Sequence, residues 1–504
     1  MPPYRPVTLL RAMNHATLLT RLRMPTLAFT LGAVSVFGFA PFYLFPLPIL
    51  ALGLLIHRLR RADARAAFAV GYAFGLGWFL AGVSWVYVSM HAIGGMPAPV
   101  AALAVVLFAA YLALFPALSL WLVAHWRLPE HVRWLLALPA LWALLDWLRG
   151  VILTGFPWQA LGYAQVPWSP LAGYAPILGV HGVSALAVFT AAALALNRAR
   201  WWVLAAGVWL VGWGLGQVAW TRPVGEPVTV SLLQGNIAQS LKFRPEQLAD
   251  TLFTYRRLTL DSPGRLIVLP ETALPLFLDT VPPDYLAGLA AHARGNGGDL
   301  LLGVPERQGE RYYNSVVSLG RSEPQVYRKA HLVPFGEFVP PGFRWFIELM
   351  HIPLGDFARG RPDQPPMAVA GERVAVNICY EDVFGAELIH TLPEATLMVN
   401  VSNDAWFGDS LAPWQHLQIS QMRALETGRW WLRANNTGIT AILDERGRVQ
   451  AQLPPFTTGA LHGTAQGHGG LTPYARWGDG GFLVLSALVL LAAVWRGRTA
   501  RRRC

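Results

Sequence analysis

Three residues of this chain are placed to do covalent chemistry: a cysteine, a lysine and a glutamate, each at the end of an apolar run. Cys379 follows the β-branched segment 374–378 and precedes Glu381 and Asp382, acidic residues that suit the start of a helix. A thiol at a strand-to-helix turn meets the helix dipole, which favours the thiolate, the nucleophilic form. The alternative for such a cysteine is a small buried hydrophobe. Lys329 gains weight from scarcity, because the 40 basic residues include only two lysines, Lys242 and Lys329. It follows a strand-like run and precedes a turn-rich loop, 331–337, that ends in Glu337. Glu271 lies just beyond another apolar run, 266–269. Singly, the glutamate reads as a surface cap and the lysine as a chance survivor. Together they offer a base, a cation and a nucleophile at three strand ends, where active sites gather.

Elements must exist that bring those ends together. Between 222 and 475, short β-branched runs alternate with longer amphipathic stretches. Strands are expected at 228–233, 266–269, 300–304, 315–319, 374–379, 397–401 and 439–443. Helices are expected near 245–260, 283–295, 384–391 and 413–427. This order predicts one α/β domain with helices packed on sheets. Gly-, Pro- and polar-rich stretches near 221–227 and 463–480 make hinges to the rest of the chain.

That rest is of another kind. Of 504 residues, 54% are hydrophobic and 14% charged, against roughly 25% charged in a typical soluble protein. This excludes a disordered chain and argues against an ordinary cytosolic enzyme. The net charge of +11 invites nucleic acid as a partner, but its distribution removes that reading: 222–475 is net −4 and the remainder +15. The basic part reads as membrane helices at 24–42, 43–57, 66–90, 98–124, 134–150, 171–195, 201–220 and 481–495. Alternate connections carry 17 arginines, among them Arg5, Arg11, Arg127, Arg502 and Arg503, and the others only Arg149 and Arg476. The positive-inside rule then puts both termini in the cytoplasm and 222–475 outside. No small-residue cleavage site stands clearly after the first apolar run, which reads as an uncleaved anchor. The expected organisation is a membrane domain at 1–221 with seven spans, an exported α/β domain at 222–475, and an eighth span with a basic tail at 476–504. Cys379 and the tail residue Cys504 then lie on opposite sides and cannot pair, and no CxxC or HExxH supports a metal. Within the membrane part, Asp146 and His181 stand out, with Arg149 one turn from Asp146 as an ion-pair partner. Trp158, Trp168 and Trp477 suit the outer interface.

With these residues in view, the chain resembles a known family. Glu271, Lys329 and Cys379, in this order, look like the Glu-Lys-Cys triad of the nitrilase (carbon–nitrogen hydrolase) superfamily. The membrane helices and wider motifs narrow the resemblance to the apolipoprotein N-acyltransferase family. They are GFAPF at 38–42, GFPW at 155–158, GY at 162–163, QGNI at 234–237, YRKAHLVPFGE at 327–337, NICYE at 377–381, NVSNDAWFG at 400–408, PWQH at 413–416 and RANNTG at 433–438. The resemblance covers nearly the whole chain and departs from the family at Phe243, where a Trp is usual; Phe keeps an aromatic face without the indole donor.

The resemblance implies an αββα sandwich for 222–475 beside the eight-span helical part. It also implies transfer of a fatty acyl chain from a phospholipid, through a thioester on Cys379, to the α-amino group of a diacylated apolipoprotein. Glu271 is then the base and Lys329 the oxyanion cation, with no cofactor. Glu337, Tyr380 and Glu381 match supporting positions, though ring packing and a helix-start charge are the simpler roles for the last two. Phe243 and Trp406 are expected to contact substrate, and Asn400, Asn403 and Asp404 to brace the site. The enzyme is expected to be a monomer in the bacterial inner membrane with its catalytic domain periplasmic. A membrane-tethered amidase, with water as acceptor, would use the same triad, and a non-catalytic receptor or transport scaffold is the reading from another class. A Cys–His arrangement with His331 or His416 lacks any pairing motif.

Overall fold

The computed structural model describes residues 15–126, 128–340, 342 and 357–501. Arg5, Arg11, Arg127, Arg502, Arg503 and Cys504 lie outside the described residues. Each of the eight apolar segments carries a helix: α1 (His15–Ser35), α2 (Pro46–Leu59), α3 (Ala64–Gly82), α4 (Ala98–His125), α5 (Leu138–Arg149), α6 (Ala175–Ala195), α7 (Ala199–Leu215) and a final one, Gly480–Arg501. Among the described residues, three helices are long and apolar enough to cross a membrane: Ala64–Gly82, Ala98–His125 and Pro170–Ala195. Met24–Gly38, Pro46–Leu59 and Gly480–Trp495 are shorter apolar helices.

Small residues let these helices touch. A Cβ on Gly77 of α3 would lie 2.0 Å from the Phe29 carbonyl oxygen, and one on Gly32 of α1 1.9 Å from that of Phe74. The two backbones meet only because both positions are glycine. Two expected spans end early. The segment 24–42 leaves the helix at Ser35, entering a 3₁₀ turn ahead of Pro41. The segment 66–90 breaks at Gly82, whose freed carbonyl accepts from Gln415 Nε2 at 3.1 Å. Arg149 is fully buried and binds Asp146, as its spacing predicts, and also donates to the carbonyls of Phe156 and, at 2.7 Å, Trp158. His181 Nδ1 stands 3.8 Å from Asp146. Trp158 is buried rather than interfacial, while Trp168 and Trp477 are exposed.

The second half folds around two six-stranded sheets. Its strands are β1 (Val228–Gln234), β2 (Leu266–Val268), β3 (Asp299–Gln308), β4 (Arg311–Gly320), β5 (Val326–Arg328), β6 (Met367–Val369), β7 (Glu372–Ile378), β8 (Leu397–Ser402), β9 (Trp430–Asn435), β10 (Ala441–Leu443), β11 (Val449–Gln452) and β12 (Gly459–Ala465). One sheet runs β12-β1-β2-β3-β4-β5 and the other β11-β10-β9-β8-β7-β6, each with three parallel strands at its centre. Strand periodicity sorts the faces. Val230, Leu232, Leu266, Val268 and Leu301 meet Val374, Val376, Val399 and Leu432 between the sheets. Leu233, Ile267, Leu300 and Leu302 point the other way, onto α8 (Pro245–Leu260) and α9 (Pro283–Gly295). Ala375, Met398 and Trp431 of the second sheet pack on α10 (Ala412–Thr427). The layers are therefore helix, sheet, sheet, helix.

Most expected strands and helices fall on observed ones, and 384–391 is a single short turn, Gly385–Leu388, followed by 3₁₀ structure. The strands β6, β9, β11 and β12 were not expected, and β5 is the strand-like run ahead of Lys329. The omission of β9 matters most, since it is central: Arg433 and Asn435 interrupt its apolar pattern, and both are fully buried.

Helix α10 is buried on its far side too, against the apolar helical half of the chain. Gln415 accepts from Trp158 Nε1 at 2.7 Å and Trp85 Nε1 at 3.3 Å, and Gln418 accepts from the Ala40 N–H at 3.0 Å and donates to the Val166 carbonyl at 2.8 Å. Glu426 accepts from the Val180 N–H at 2.7 Å, where α6 breaks at Gly179. Three side chains of one helix, Gln415, Gln418 and Glu426, thus satisfy backbone groups that the helical part cannot pair itself.

Candidate active site

The three candidate residues follow strands, Glu271 and Cys379 after central parallel strands and Lys329 after the edge strand β5. Glu271 follows β2, and its loop hugs β3 through Leu269 N–H to Leu301 O and Ala273 N–H to Gly303 O, both 2.8 Å. A Cβ on Gly303 would stand 2.1 Å from the Pro270 carbonyl, so glycine is what lets the loop close there. Lys329 follows β5, its N–H donating to the Asn314 carbonyl at 2.8 Å. Cys379 follows β7 with φ of +53°, a left-handed conformation that costs a non-glycine residue about 1–2 kcal/mol. It is held there by Asn400 Nδ2, which donates to the Cys379 carbonyl at 3.0 Å.

The three side chains are brought together and buried. Lys329 Nζ donates to Glu337 at 2.9 Å and to Glu271 at 3.5 Å. Asn314 Nδ2 spans the same carboxylates, at 2.7 Å from Glu271 and 2.9 Å from Glu337. Burial alone would lower the Lys329 ammonium, but Glu337 and Glu271 outweigh it and hold it charged. The Cys379 thiol is pushed well up, first by burial and then by the Glu271 charge, with Lys329 opposing. This overturns the expectation of a resting thiolate. The element after Cys379 is a five-residue 3₁₀ turn, Cys379–Val383, too short to present a substantial dipole. Cys379 therefore rests as a thiol, and Glu271 is the carboxylate whose charge acts on it most, ahead of Asp404.

Glu381 hydrogen-bonds to none of these side chains and organises two of the three segments, those of Lys329 and Cys379. Its carboxylate accepts from the N–H groups of Ala330, His331 and Ile378 at 2.6, 3.0 and 2.7 Å, and from Tyr327 Oη at 2.9 Å. It locks the turn of Cys379 to the chain after Lys329. Glu381→Gln turns one acceptor oxygen into a donor facing donors, and an unmet buried group costs about 1–3 kcal/mol. The expected result is a fall in stability of at least about 2 kcal/mol in thermal unfolding. Unchanged melting with full activity would contradict this role.

Tyr380 Oη donates to the Gly155 carbonyl at 3.1 Å, linking the cysteine turn to the loop after α5, and its ring stacks on Trp158. Phe243 is 63% exposed and Trp406 41% exposed. Trp406 sits where the α/β part meets the α3–α4 connection, its carbonyl accepting from Ser89 Oγ at 2.7 Å.

Neither histidine serves Cys379. His331 pairs with Glu387 at 3.0 Å and stacks on Phe384. His416 is held between Asp382 and Asp404, at 2.9 and 3.0 Å, and Arg433 reaches both aspartates at 3.2 and 3.1 Å. This fully buried quartet underlies Asn400 and the cysteine turn, with Arg433 donating to Asn400 at 3.1 Å. Burial and Arg433 would lower the His416 imidazolium; Asp382 and Asp404 outweigh them and raise it. Stability from His416 is then fully present below its unfolded value of about 6.5 and is lost as pH rises through the raised one. The melting gap between wild type and His416→Gln is expected to be widest near pH 6 and to narrow toward pH 9, and a pH-independent gap would contradict it.

Sequence reasoning missed Asn314, Asp382 and the place of Lys242. Lys242 Nζ donates to the Glu271 carbonyl at 3.2 Å. Lysine scarcity already marked it; nothing in the sequence marks Asn314 in β4. Among the described residues no cluster of His, Cys, Asp or Glu could hold a metal ion.

Known proteins resemble both halves. Residues 31–193 match the model of the apolipoprotein N-acyltransferase N-terminal domain, and 229–468 that of carbon-nitrogen hydrolase. A protein of Nitrosomonas europaea named apolipoprotein N-acyltransferase is 55% identical over 487 residues, covering 94% of this chain and 98% of its own length. Proteins of the same name from Chromobacterium violaceum and Ralstonia nicotianae are 49% and 48% identical, covering 93% and 96% of this chain and 93% and 95% of their own lengths.

Proposed function

Because the chain belongs to the apolipoprotein N-acyltransferase family, with a carbon–nitrogen hydrolase domain around its candidate site, we propose that it N-acylates apolipoproteins from a phospholipid donor by way of Cys379. The observation that carries this is the convergence of Glu271, Lys329 and Cys379, with Lys329 bonded directly to Glu271 and Glu337 and the Asn314 amide bridging the two carboxylates.

In the first half-reaction Glu271 takes the Cys379 proton as sulfur attacks the ester carbonyl of the phospholipid. Lys329 offers an N–H to the tetrahedral oxyanion. The carbon–oxygen bond breaks, the proton passes from Glu271 to the leaving oxygen, and a lyso-phospholipid departs from the thioester. In the second, Glu271 takes a proton from the α-amine of the diacylglyceryl-cysteine as nitrogen attacks the thioester. The carbon–sulfur bond breaks, sulfur recovers the proton, and the N-acylated product leaves, giving ping-pong kinetics. Phe243 and Trp406, both exposed aromatics, suit contact with lipid chains.

The helical part crosses the bacterial cytoplasmic membrane eight times, with both termini inside and 222–475 at the outer face, as the arginine asymmetry supports. The units are then 1–221, 222–475 and 476–504, and the enzyme works as a monomer. Both substrates carry acyl chains worth about 0.8 kcal/mol per buried CH₂, so the reaction belongs at the bilayer surface.

The test is intact-mass measurement of the full chain after incubation with phospholipid vesicles. An acyl-sized adduct that disappears when a diacylated lipopeptide is added, with the lipopeptide gaining one acyl chain, supports the proposal. No adduct, or cleavage of small amides with no lipopeptide product, overturns it.

A further inference from the structure

Both lysines of the chain lie in the candidate site, and the reaction above uses only Lys329. Lys242 closes the turn Gln239–Lys242 and runs inward, 2% exposed, to the Glu271 carbonyl at 3.2 Å. The turn is tied to the floor of the site. Asn403 Nδ2 donates to Gln239 at 2.8 Å, and Asn436 Nδ2 donates to Asn403 at 2.9 Å and to the Ile237 carbonyl at 2.7 Å. An ammonium buried against a carbonyl rather than a carboxylate is unfavourable unless nearby charge compensates it. The charged and titratable groups facing Lys242 are Glu271 and Cys379. Around these two stand Lys329 and Glu337, and behind Cys379 lies Asp404, matched by His416 and Arg433. Glu271 and Glu337 are matched by Lys329 and Lys242, while the Glu381 carboxylate is met by the N–H groups of Ala330, His331 and Ile378. Without Lys242 the Glu271, Glu337 and Lys329 group carries a net negative charge before the thiol has given up its proton.

We propose that Lys242 is a positioning residue of the acylation step: its ammonium anchors the main chain of Glu271 and balances the charge around Cys379 so that a thiolate can form. The proposal deepens the acyl-transfer reading and rests on it. The proton moves from sulfur to Glu271 as before; Lys242 neither gives nor takes one.

The test uses the full-length protein in a Cys504→Ser background, so that Cys379 is the sole thiol. One readout is the pH dependence of Cys379 alkylation by iodoacetamide without lipid. The other is the rate of acyl-enzyme formation from phosphatidylethanolamine in mixed micelles. Burial lowers the Lys242 ammonium to about 8, so it is charged at neutral pH, and Lys242→Met is expected to slow alkylation about tenfold at pH 7, with the gap closing above about pH 8. It should also slow acylation at neutral pH by at least about tenfold, with the half-saturating phospholipid concentration unchanged. Lys242→Arg, which keeps the charge, recovers most of both, and Lys242→Gln gives the same readouts should the Met variant fail to fold. An unchanged alkylation rate at pH 7 in the Met or Gln variant, or an Arg variant as impaired as Met, overturns the proposal. If wild type forms no acyl-enzyme but Lys242→Met still slows alkylation at pH 7, the acyl-transfer reading falls and the charge role of Lys242 stands.

Discussion

Cys379→Ala is expected to form no acyl adduct and to lower lipopeptide acylation by about 10⁴–10⁶-fold, as loss of a covalent nucleophile does. The substitution is unusually clean here. Alanine meets the same left-handed penalty at φ of +53° as cysteine, so the turn loses only its sulfur. The Asn400 bond to the carbonyl of residue 379 and the Glu381 bond to the Ile378 N–H both involve groups that alanine leaves in place. Melting temperature should therefore stay near wild type while activity vanishes. Cys379→Gly goes further: glycine tolerates the left-handed region, so the variant should be equally inactive without being less stable. An adduct of unchanged mass in Cys379→Ala would place the acyl group on another residue and remove the central element of the mechanism.

Much of this site was legible because its residues stand at the ends of strands, and the strands announce themselves through alternation. Val230 and Leu232 face inward while Leu233 faces α8, a pattern readable without coordinates. The motif residues Glu271, Lys329 and Cys379 could thus be assigned to strand ends before their distances were known. What stayed hidden has a common cause in burial of polar groups. Strand β9 fills the middle of its sheet with Arg433 and Asn435 inside, because Asp382 and Asp404 wait for them across the sheet. No local pattern announces a buried ion network assembled from three separate elements. Asn314 is similar: an asparagine in a strand reads as ordinary until two carboxylates close on its amide. The protonation of Cys379 also escaped, since it depends on burial and on a carboxylate more than a hundred residues away in the chain. The break of α3 at Gly82 belongs to the same class, because the acceptor side of that break is satisfied by Gln415, from the other half of the molecule.

Lys329→Ala is expected to leave the enzyme nearly inactive, slower in acylation by about 10²–10³-fold, which is the 2.7–4 kcal/mol that loss of an oxyanion donor typically costs. The geometry argues for the upper end. Lys329 also bonds to Glu337 and Glu271, and its removal leaves both carboxylates sharing the single Asn314 amide in a buried site. Like charges so placed favour uptake of a proton, which depletes the form able to accept one from Cys379. The thiol simultaneously loses the cation that draws it down, so nucleophile and base suffer together. The defect should lie in the maximal acylation rate with little change in the half-saturating phospholipid concentration, because Lys329 is buried and acts on developing charge rather than on lipid chains. Lys329→Arg is not a rescue: a planar guanidinium cannot occupy the point between Glu271 and Glu337 that a compact ammonium fills. Near-normal turnover by either variant would require the oxyanion to be held elsewhere and would sink the assignment of Lys329.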